Sequence, residues 1–466
     1  MQRRTFLSSV PFGMAAVLGS VRAQSASDLT ANYRETAARL IGAALTDDEG
    51  WRRLEYLCDR FGPRLACSEA AQRAIAWAAD EMRREGLANV RTLPVKVPHW
   101  VRGAESARLV EPLDSPVAML GLGGSIGTPS GGITAEVVAV SSYAELEALG
   151  TDKVRGKIVL YNVPWQGYGR TVQYRTSGAV QAAKLGAVAS LVRSVTPLSL
   201  RDPHTGAMQY DPDVPKIPHA AISVEDALRI ARLIAAGNTV KLHLEMAAQN
   251  LPNADSADVI GEIVGRERPG EIVVIGGHID SWDVGQGAQD DGCGMAACWA
   301  AVVLMKQLGL TPRRTVRLIF WTDEERTGSG SAAYRKWVGD DIKNHVAAIE
   351  MDGGAERPVG FGLSIVGASD DVMNRALVRA RSIGSLLDGI GAGEITRGGG
   401  GADIGLLMRD GVPGFGHRTV GQRYFEWHHS EADTLDKIDP REFKLNVATL
   451  AVLAYVLADM PERIDA

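Results

Sequence analysis

The sequence has few cysteines, no long hydrophobic run and no excess of positive charge. Its 466 residues include four cysteines, Cys58, Cys67, Cys293 and Cys298, and no C-x-x-C pair, which argues against zinc-finger and disulfide-rich classes. An oxidising compartment would permit a Cys58–Cys67 disulfide, but the sequence does not establish one. After residue 23 no stretch reaches about 18 uncharged apolar residues, so we expect no membrane span. The net charge of −6 argues against nucleic acid as a partner.

Residues 1–23 have the pattern of an export signal. A basic start, a weakly apolar middle interrupted by Pro11 and a small-residue end at Ala23 are typical of a signal peptide. The stretch RRTFL at 3–7 resembles a twin-arginine signal, although two arginines also fit an ordinary basic start. Both interpretations predict a periplasmic or secreted protein. Removal of the segment, with its three arginines, lowers the net charge from −6 to −9.

The rest of the chain divides into three parts by its apolar pattern. Residues 28–90 predict helices and 90–100 a strand, whereas 104–248 predict short strands, turns and one helix near 177–185. From 256 onward, strand and helix patterns alternate, which is typical of an α/β fold with a mainly parallel sheet flanked by helices. The strand patterns are 258–265, 271–277, 316–322 and 345–352, and the helix patterns are 292–308, 329–338, 370–383 and 441–459.

The N-terminal helices have no sheet of their own and should pack on this one. We therefore predict a discontinuous domain made of 24–103 and 249–466, with a β-rich lobe, 104–248, inserted into it. The two most apolar helices, 292–308 and 441–459, are expected to belong to the core.

Acidic residues and histidines follow three of the predicted strands. Ligands of an open α/β sheet bind at the carboxyl ends of its strands, so these residues are candidates for a site. Each has a simpler explanation alone, as a helix cap or a hydrogen-bonded structural residue. Together they would repel one another unless cations held them. The candidates are His278, Asp280, Asp290 and Asp291, then Asp323, Glu324 and Glu325, then Glu350 and Asp352, and finally His428 and His429 in a late loop.

Carboxylate and imidazole groups without thiolate are typical of a catalytic zinc site. Two zinc ions fit this set better than one. Three carboxylates and one hydroxide would neutralise two Zn²⁺, two histidines would be neutral ligands, and a fourth carboxylate would be left to act as a base.

Several segments resemble the co-catalytic zinc aminopeptidase and glutamate carboxypeptidase family. Members of that family with this pattern carry a protease-associated lobe inserted into the peptidase domain, which agrees with the predicted insertion. The resemblance covers nearly the whole chain after residue 23. Its segments are GPRLACSEAAQRAI (62–75), TDKVRGKIVLYNVP (151–164), GGHIDSWDVGQGAQDDGCG (276–294), TDEERTGSGSAAY (322–334), EMDGG (350–354) and YFEWHHSEADT (424–434).

The resemblance implies a ligand set for two zinc ions. His278 and Asp352 would bind one ion, Glu325 and His429 the other, and Asp290 would bridge them.

Some positions keep an alternative. His429 is preferred over His428 because the family's ligand directly precedes a serine, here Ser430. Glu350 is a rival to Asp352, since residues two apart on a strand face the same way.

Two further positions lie beside the bridging residue. Asp291 is the first alternative to Asp290 as the bridge. Cys293 stands where relatives usually have a small residue, and packing at a helix start is preferred over metal binding as its role.

The resemblance also implies the activity, an exopeptidase acting on dipeptides or short peptides with a free amino terminus. Glu324 would be the general base that takes a proton from a metal-bridging water. The carboxylate of Asp280 would accept the second ring N–H of His278 and fix its tautomer. A peptide substrate and, by analogy, a homodimer are the expected partners.

Three alternatives to this function remain at this stage. A carboxypeptidase acting on C-terminal residues would use the same metals, and a non-catalytic binding protein could share the fold. The stretch GGSIG at 123–127 matches the serine hydrolase elbow, but TPSGG follows it where that motif requires a helix.

Overall fold

The computed structural model describes residues 26–466, and the predicted signal segment, 1–23, lies outside them. Sixteen β-strands in two sheets occur in the described part of the chain. In chain order they are β1 (Ala88–Val101), β2 (Glu105–Glu111), β3 (Ser115–Val117), β4 (Met119–Gly121), β5 (Ile133–Val140), β6 (Ile158–Tyr161), β7 (Ala189–Arg193), β8 (His219–Ile222), β9 (Lys241–Met246), β10 (Gln249–Ile263), β11 (Arg268–His278), β12 (Arg314–Trp321), β13 (His345–Glu350), β14 (Pro358–Ser364), β15 (Glu394–Arg397) and β16 (Gly414–Thr419).

Fourteen α-helices accompany the strands within residues 26–466, together with short 3₁₀ and π turns. No helix in this range is both long and apolar enough to cross a membrane. The helices are α1 (Ala26–Thr46), α2 (Glu49–Arg60), α3 (Glu69–Arg84), α4 (Tyr143–Val154), α5 (Tyr168–Thr171), α6 (Gln173–Thr176), α7 (Gly178–Lys184), α8 (Val224–Ala235), α9 (Cys293–Gln307), α10 (Ser329–Val338), α11 (Asp370–Gly384), α12 (Gly405–Arg409), α13 (Tyr424–Trp427) and α14 (Pro440–Asp459).

The first sheet has eight strands in the order β1-β10-β12-β11-β13-β16-β14-β15. Its centre, β12-β11-β13-β16, is parallel, as predicted. Three pairings are antiparallel: β1 with β10, β10 with β12, and β14 with β16. The sheet is therefore mixed. Strand β1 contains Pro94 and Pro98, which an edge strand tolerates because one of its sides needs no ladder hydrogen bonds.

Strand β10 is longer than its apolar pattern predicts. It begins at Gln249, nine residues before the predicted start at 258, and its first half is polar and exposed. This half forms a two-stranded antiparallel ladder with β1, from Val101 opposite Gln249 onward. An exposed ladder needs no alternating apolar residues, which explains why the pattern missed it.

Side chains of the central strands alternate between two apolar layers. In β11, Val273 and Ile275 face the layer formed with α1, α9 and α14, whereas Ile272 and Val274 face the layer formed with α10 and α12. This alternation is the period of two expected for a sheet covered on both faces. The helices α9 and α14 lie in the first layer, so the prediction that they belong to the core is confirmed.

The N-terminal helices α1, α2 and α3 have no sheet of their own and pack on the first sheet, as predicted. Leu40, Leu54 and Ala78, one from each helix, belong to the same buried cluster as Ile275 of β11. The hydroxyl of Ser68 accepts a hydrogen bond from the N–H of Ala71 at 3.1 Å and so caps the start of α3.

The second sheet is built from β2 to β9 and has its own apolar clusters. Its order is β3-β2-β9-β5-β6-β7-β8-β4, with β5, β6, β7 and β8 parallel. The chain enters this lobe after β1 and returns from it into β10, two adjacent strands of the first sheet. The predicted fold class, an α/β sheet flanked by helices with an inserted lobe, is confirmed.

Glycines in and after β11 allow a loop to pack closely against the strand end. A Cβ atom at Gly277 would lie 2.1 Å from Asp291 Oδ2, and one at Gly294 would lie 2.0 Å from the carbonyl oxygen of Met351. Neither contact is sterically allowed, so only glycine fits at these two positions. The glycines thereby bring the loop that carries Asp290 against the end of the parallel strands.

Candidate metal centre

Three neighbouring parallel strands end at one edge of the first sheet, and each delivers a polar residue there. His278 is the last residue of β11, Glu324 and Glu325 follow β12, and Asp352 follows β13. Asp290 comes from the loop before α9. The late loop after α13 supplies His428 and His429.

The first group of candidate ligands surrounds His278. Its Nε2 atom lies 3.3 Å from Asp290 Oδ1, 3.7 Å from Asp352 Oδ1 and 4.0 Å from Glu324 Oε2. The ligand atoms of His278, Glu324 and Asp352 all lie within 4.8 Å of one another, which is close enough to hold one metal ion.

The second group surrounds His429. Its Nε2 atom lies 3.1 Å from Asp290 Oδ2 and 3.0 Å from Glu325 Oε2. Asp290 therefore turns Oδ1 toward His278 and Oδ2 toward His429. A carboxylate whose two oxygens face two ligand groups has the geometry that a bridge between two metal ions requires.

Several polar atoms in these groups are buried without a hydrogen-bond partner among the described residues. They include His278 Nε2, Glu325 Oε1 and Asp352 Oδ1. Such atoms cost free energy unless something pairs with them. Cations held by nitrogen and oxygen ligands would satisfy them, and a set of carboxylates and imidazoles without thiolate suits zinc. The residues present therefore fit the predicted ions.

The electrostatics of the residues alone also favour bound cations. Burial raises the pKa of Glu324 well above its usual range, and the charges of Asp352 and Glu325 raise it further. Burial alone would lower the pKa of His278, but the carboxylates of Asp290 and Asp352 outweigh this effect and raise it well above normal. Without cations the acids could ionise together only at a large cost, and divalent ions remove that cost.

Asp280 is near His278, but the predicted contact is made by a different atom. The Nδ1 atom of His278 lies 3.0 Å from the carbonyl oxygen of Asp280 and 3.8 Å from its carboxylate. The backbone oxygen therefore accepts the ring N–H and selects the tautomer. One carboxylate oxygen of Asp280, Oδ1, instead accepts the backbone N–H of Glu324 at 3.3 Å.

The two adjacent histidines both face Asp290. Their rings stack with centroids 3.5 Å apart, and His428 Nε2 lies 3.6 Å from Asp290 Oδ2. His429 is closer to Asp290 and also contacts Glu325, which favours it as the ligand of the second group. The nitrogen atom of His428 nevertheless points into the same site.

The two rival acids have structural contacts of their own. Asp291 is fully buried, and its carboxylate accepts the backbone N–H groups of His278 at 3.2 Å and Gly294 at 3.1 Å. Glu350 accepts the N–H of Ile404 at 2.8 Å, and burial raises its pKa to about 8. These bonds hold the ends of the loops together.

The candidate metal groups found among the described residues include no cysteine and no part of the serine motif. The thiol of Cys293 donates to the carbonyl oxygen of Gln289 at 3.4 Å, at the start of α9, and Cys58 and Cys67 are both unpaired. Ser125 is fully buried in the lobe, and its hydroxyl donates to the carbonyl of Ile126. No helix directly follows Ser125, so the serine hydrolase alternative fails in its structural requirement.

Two buried residues that the sequence analysis did not select hold the ligand loops in place. The carboxylate of Asp433 accepts the backbone N–H groups of Ala288, Gln289 and Asp290 at 3.1, 2.7 and 3.2 Å. The guanidinium of Arg64 donates to three carbonyl groups of the loop after β11, at residues 279, 286 and 287. Both residues lie in the segments that carry the family resemblance, but only their long-range contacts reveal these roles.

The inserted lobe also reaches the site. The guanidinium of Arg175 is buried, with Nη1 3.2 Å from His429 Nδ1 and Nη2 donating to the hydroxyl of Tyr168 at 2.7 Å. The ring of Tyr168 packs edge-on against His428, with centroids 5.1 Å apart. The lobe therefore closes one side of the metal centre.

Comparison with known proteins gives consistent matches. Residues 258–454 match the profile described as Peptidase family M28, and residues 133–230 match the PA domain. Carboxypeptidase Q of Mus musculus is 43% identical over 435 residues, which cover 93% of this chain and 91% of the mouse protein.

Solved structures agree with these matches. The Peptidase M28 precursor from Shewanella amazonensis SB2B has a TM-score of 0.89 and 33% identity, covering 93% of this chain and 98% of its own. BSAP, a zinc aminopeptidase from Bacillus subtilis, has a TM-score of 0.66 at 19% identity, covering 89% of this chain and 96% of its own. The second similarity is one of fold.

The role of Asp433 can be tested by Asp433→Asn. The variant keeps one acceptor oxygen but turns an amide N–H₂ toward a backbone N–H, so the loop that carries Asp290 should shift. Loss of such an outer contact typically weakens metal binding by about 10- to 100-fold, which a competitive chelator titration would measure. The control is Asp436→Asn, an equivalent substitution at an exposed position three residues after Asp433. An unchanged metal affinity in Asp433→Asn would contradict the role.

Proposed function

Because the chain belongs to peptidase family M28 and is therefore a zinc-dependent metallopeptidase, we propose that it is a dinuclear exopeptidase. Its substrates are dipeptides or short peptides with a free amino terminus. The observation that carries the proposal is the position of Asp290, whose two oxygens face two separate groups of ligand atoms, one at His278 and one at His429.

In this proposal His278 and Asp352 hold one zinc ion, Glu325 and His429 hold the other, and Asp290 bridges them. When bound, the ions would lower the pKa of the attacking water and polarise the scissile carbonyl. The chain's own residues orient these ligands through hydrogen bonds to the main chain, notably the one that the ring N–H of His278 donates to the carbonyl of Asp280.

Glu324 is the general base of the proposed reaction. Its side chain is 20% exposed, whereas that of Glu325 is 1% exposed, so solvent and substrate can reach the first and not the second. Its backbone N–H donates to the carboxylate of Asp280, which holds the main chain of Glu324 in place. Glu324 accepts the proton of the attacking water and returns it to the leaving amine.

Two features support a short substrate with a free amino group. The inserted lobe packs against His428 through Tyr168 and restricts access from that side, which favours chain ends over internal bonds. The acids that reach solvent at the site are Glu324 and Asp352, whose side chains are each 20% exposed. An ammonium group is the substrate terminus that carboxylates at the entrance of a site attract.

A carboxypeptidase is the second candidate, and Arg175 is the observation that favours it. This buried guanidinium contacts the Thr205 carbonyl, the ring of His429 and the Tyr168 hydroxyl, none of which is an anion. A substrate carboxylate would be a natural partner for it. The relative from Mus musculus carries the name carboxypeptidase.

The proposal also covers domain limits and export. We place the peptidase domain at 24–103 and 249–466 and the inserted lobe at 104–248, supported by the end of β1 at Val101 and the start of β10 at Gln249. Residues 1–23 are the proposed signal peptide, of twin-arginine type, which implies a periplasmic or secreted enzyme. A homodimer is proposed by analogy alone.

The purified protein should contain two zinc ions per chain, which elemental analysis would measure. Asp290→Ala should lose both ions together, because each ion loses one ligand and the bridge between them. Asp340→Ala, at an exposed position, should keep both. Loss of a single ion in Asp290→Ala would show that Asp290 is not the bridge.

The two adjacent glutamates should respond differently to the same substitution. Glu324→Gln keeps size and hydrogen bonding but removes the proton acceptor, so kcat should fall by about 10²- to 10⁴-fold while KM and zinc content stay near normal. Glu325→Gln should lose affinity for one ion and regain part of its activity in excess zinc. Zinc loss in Glu324→Gln, or two retained ions in an inactive Glu325→Gln, would reverse the two roles.

Blocked substrates distinguish the two exopeptidase types. Acetylation of a dipeptide's amino group should abolish cleavage, whereas amidation of its carboxyl group should be tolerated, and chromatography of the products would measure both rates. The opposite result, cleavage of the acetylated dipeptide and loss of the amidated one, would establish the carboxypeptidase and assign the substrate carboxylate to Arg175 or another cation.

A further inference from the structure

A short segment of the inserted lobe, His204–Thr205, contacts the two histidines of the metal centre. The backbone N–H of Thr205 donates to the carbonyl oxygen of His429 at 2.8 Å. The Nδ1 atom of His204 lies 2.6 Å from the carbonyl oxygen of His428, and since a carbonyl only accepts, the ring donates. Both lobe residues are buried. The two bonds connect parts of the chain that are 224 residues apart.

These bonds hold an unusual backbone conformation. His429 has a φ of +64°, in the left-handed region that is sterically unfavourable for a residue other than glycine. Such a residue persists only where its surroundings determine its conformation. The lobe segment binds the carbonyl group just before the left-handed residue, that of His428, and the carbonyl group of His429 itself. The backbone of His429 is therefore held at both ends.

The same segment faces the ring of His429. Nδ1 of this ring lies 3.3 Å from the carbonyl oxygen of Thr205, while Nε2 points at Asp290 and Glu325. A ring that donates from Nδ1 to a carbonyl presents the lone pair of Nε2 to a metal ion. Arg175 Nη1 also lies 3.2 Å from this Nδ1, and since a guanidinium only donates, Nδ1 cannot accept from Arg175 and donate to Thr205 at the same time. In the tautomer that binds a metal ion through Nε2, Nδ1 donates to the Thr205 carbonyl and Nη1 of Arg175 donates to that same oxygen at 3.4 Å.

Two more contacts attach the lobe to the loop on both sides of the histidines. The hydroxyl of Thr196 donates to the carbonyl oxygen of Phe425 at 2.6 Å, and the carboxylate of Asp202 accepts the N–H of Ala432 at 3.0 Å. The loop that carries His429 is therefore docked on the lobe. By contrast, the contacts of His278 come from the peptidase segments, at Asp280, Asp291 and the other candidate ligands.

We propose that His204–Thr205 is a positioning element for the metal ligand His429, so that docking of the inserted lobe and metal binding at His429 and Glu325 stabilise each other. The inference rests on the proposed dinuclear function and assigns the lobe a part in the metal centre. The coupling is reciprocal, because bonds that favour the docked lobe more in the metal-bound state than in the metal-free state must favour metal binding in the docked state by the same factor. The site at His278 and Asp352 should be nearly independent of it.

Substitutions of His204 test the proposal directly. His204→Ala removes the donor to the His428 carbonyl. His204→Gln places its amide nitrogen near the position of the other ring nitrogen, Nε2, where it cannot reach that carbonyl. His204→Asn puts an amide N–H where Nδ1 lies and should restore the bond. Tyr161→Phe is the control, since it removes a buried lobe hydrogen bond, from the hydroxyl to the Gly178 carbonyl at 2.8 Å, that does not touch the metal centre.

The measurement is a competitive chelator titration of both zinc ions, with Co²⁺ absorption spectra to distinguish the two sites. His204→Ala and His204→Gln should bind one ion with unchanged affinity and the other about 10- to 100-fold more weakly. His204→Asn and Tyr161→Phe should bind both ions within a few-fold of the unsubstituted protein. Hydrogen exchange should show that zinc protects residues 202–208 in the unsubstituted protein and protects them less in His204→Gln.

The outcomes separate this proposal from the proposed function. Two unchanged affinities in His204→Ala and His204→Gln, or equal weakening of both ions, would overturn the positioning role while leaving a dinuclear enzyme. If His204→Ala does not fold, the comparison of His204→Gln with His204→Asn still decides. If the unsubstituted protein binds one zinc ion or none, the dinuclear function fails first, and the positioning role fails with it.

Discussion

The repulsion between buried carboxylates at the ends of β11, β12 and β13 is the constraint on which the rest of the site depends. Carboxylate oxygens of Asp290, Glu325 and Asp352 lie 3.0 to 3.7 Å from the ring nitrogens of two histidines, in surroundings that are largely buried and so screen charge weakly. Such a cluster is stable only with cations among its members. The fold must therefore hold these side chains together against their repulsion. It must also leave the carboxylate oxygens and ring nitrogens that face one another free to bind ions.

The protein meets both needs by holding the ligand loops with residues that are not ligands. Asp433 accepts three consecutive backbone N–H groups of the loop that ends in Asp290, and Arg64 donates to three carbonyls of the same loop. Because these bonds use the main chain, the side chains of the candidate ligands remain free to face the proposed ions. Glycine at 277 and 294 lets the loop approach close enough for this arrangement.

The inserted lobe belongs to the same arrangement. It has its own sheet and its own apolar clusters, yet its polar residues contact the loop that carries His429. The connection from β1 into the lobe is also held in place. Arg102, just after β1, forms an ion pair with two hydrogen bonds to Asp283 in the loop after β11. A lobe attached to these loops in this way covers one side of the candidate site; in the proposed function it would limit the size of substrates and help to shape the metal centre.

The sequence alone determined the main elements of the first sheet, the family and the list of candidate ligands. Apolar periodicity is a local property, so β11, β12, β13 and the helices α9, α10, α11 and α14 were predicted close to their observed limits, whereas β14, β15, β16 and the lobe helices α4 and α8 were not predicted. Parallel strands bring the residues that follow them to one edge whatever the loops between them do. The tertiary structure alone decided which atoms meet. The carbonyl rather than the carboxylate of Asp280 contacts His278, and His429 rather than His428 lies against Glu325. The roles of Asp433, Arg64 and the lobe segment arise from contacts between residues 143 to 224 positions apart, and no local pattern specifies such contacts because they form only when the whole chain has packed.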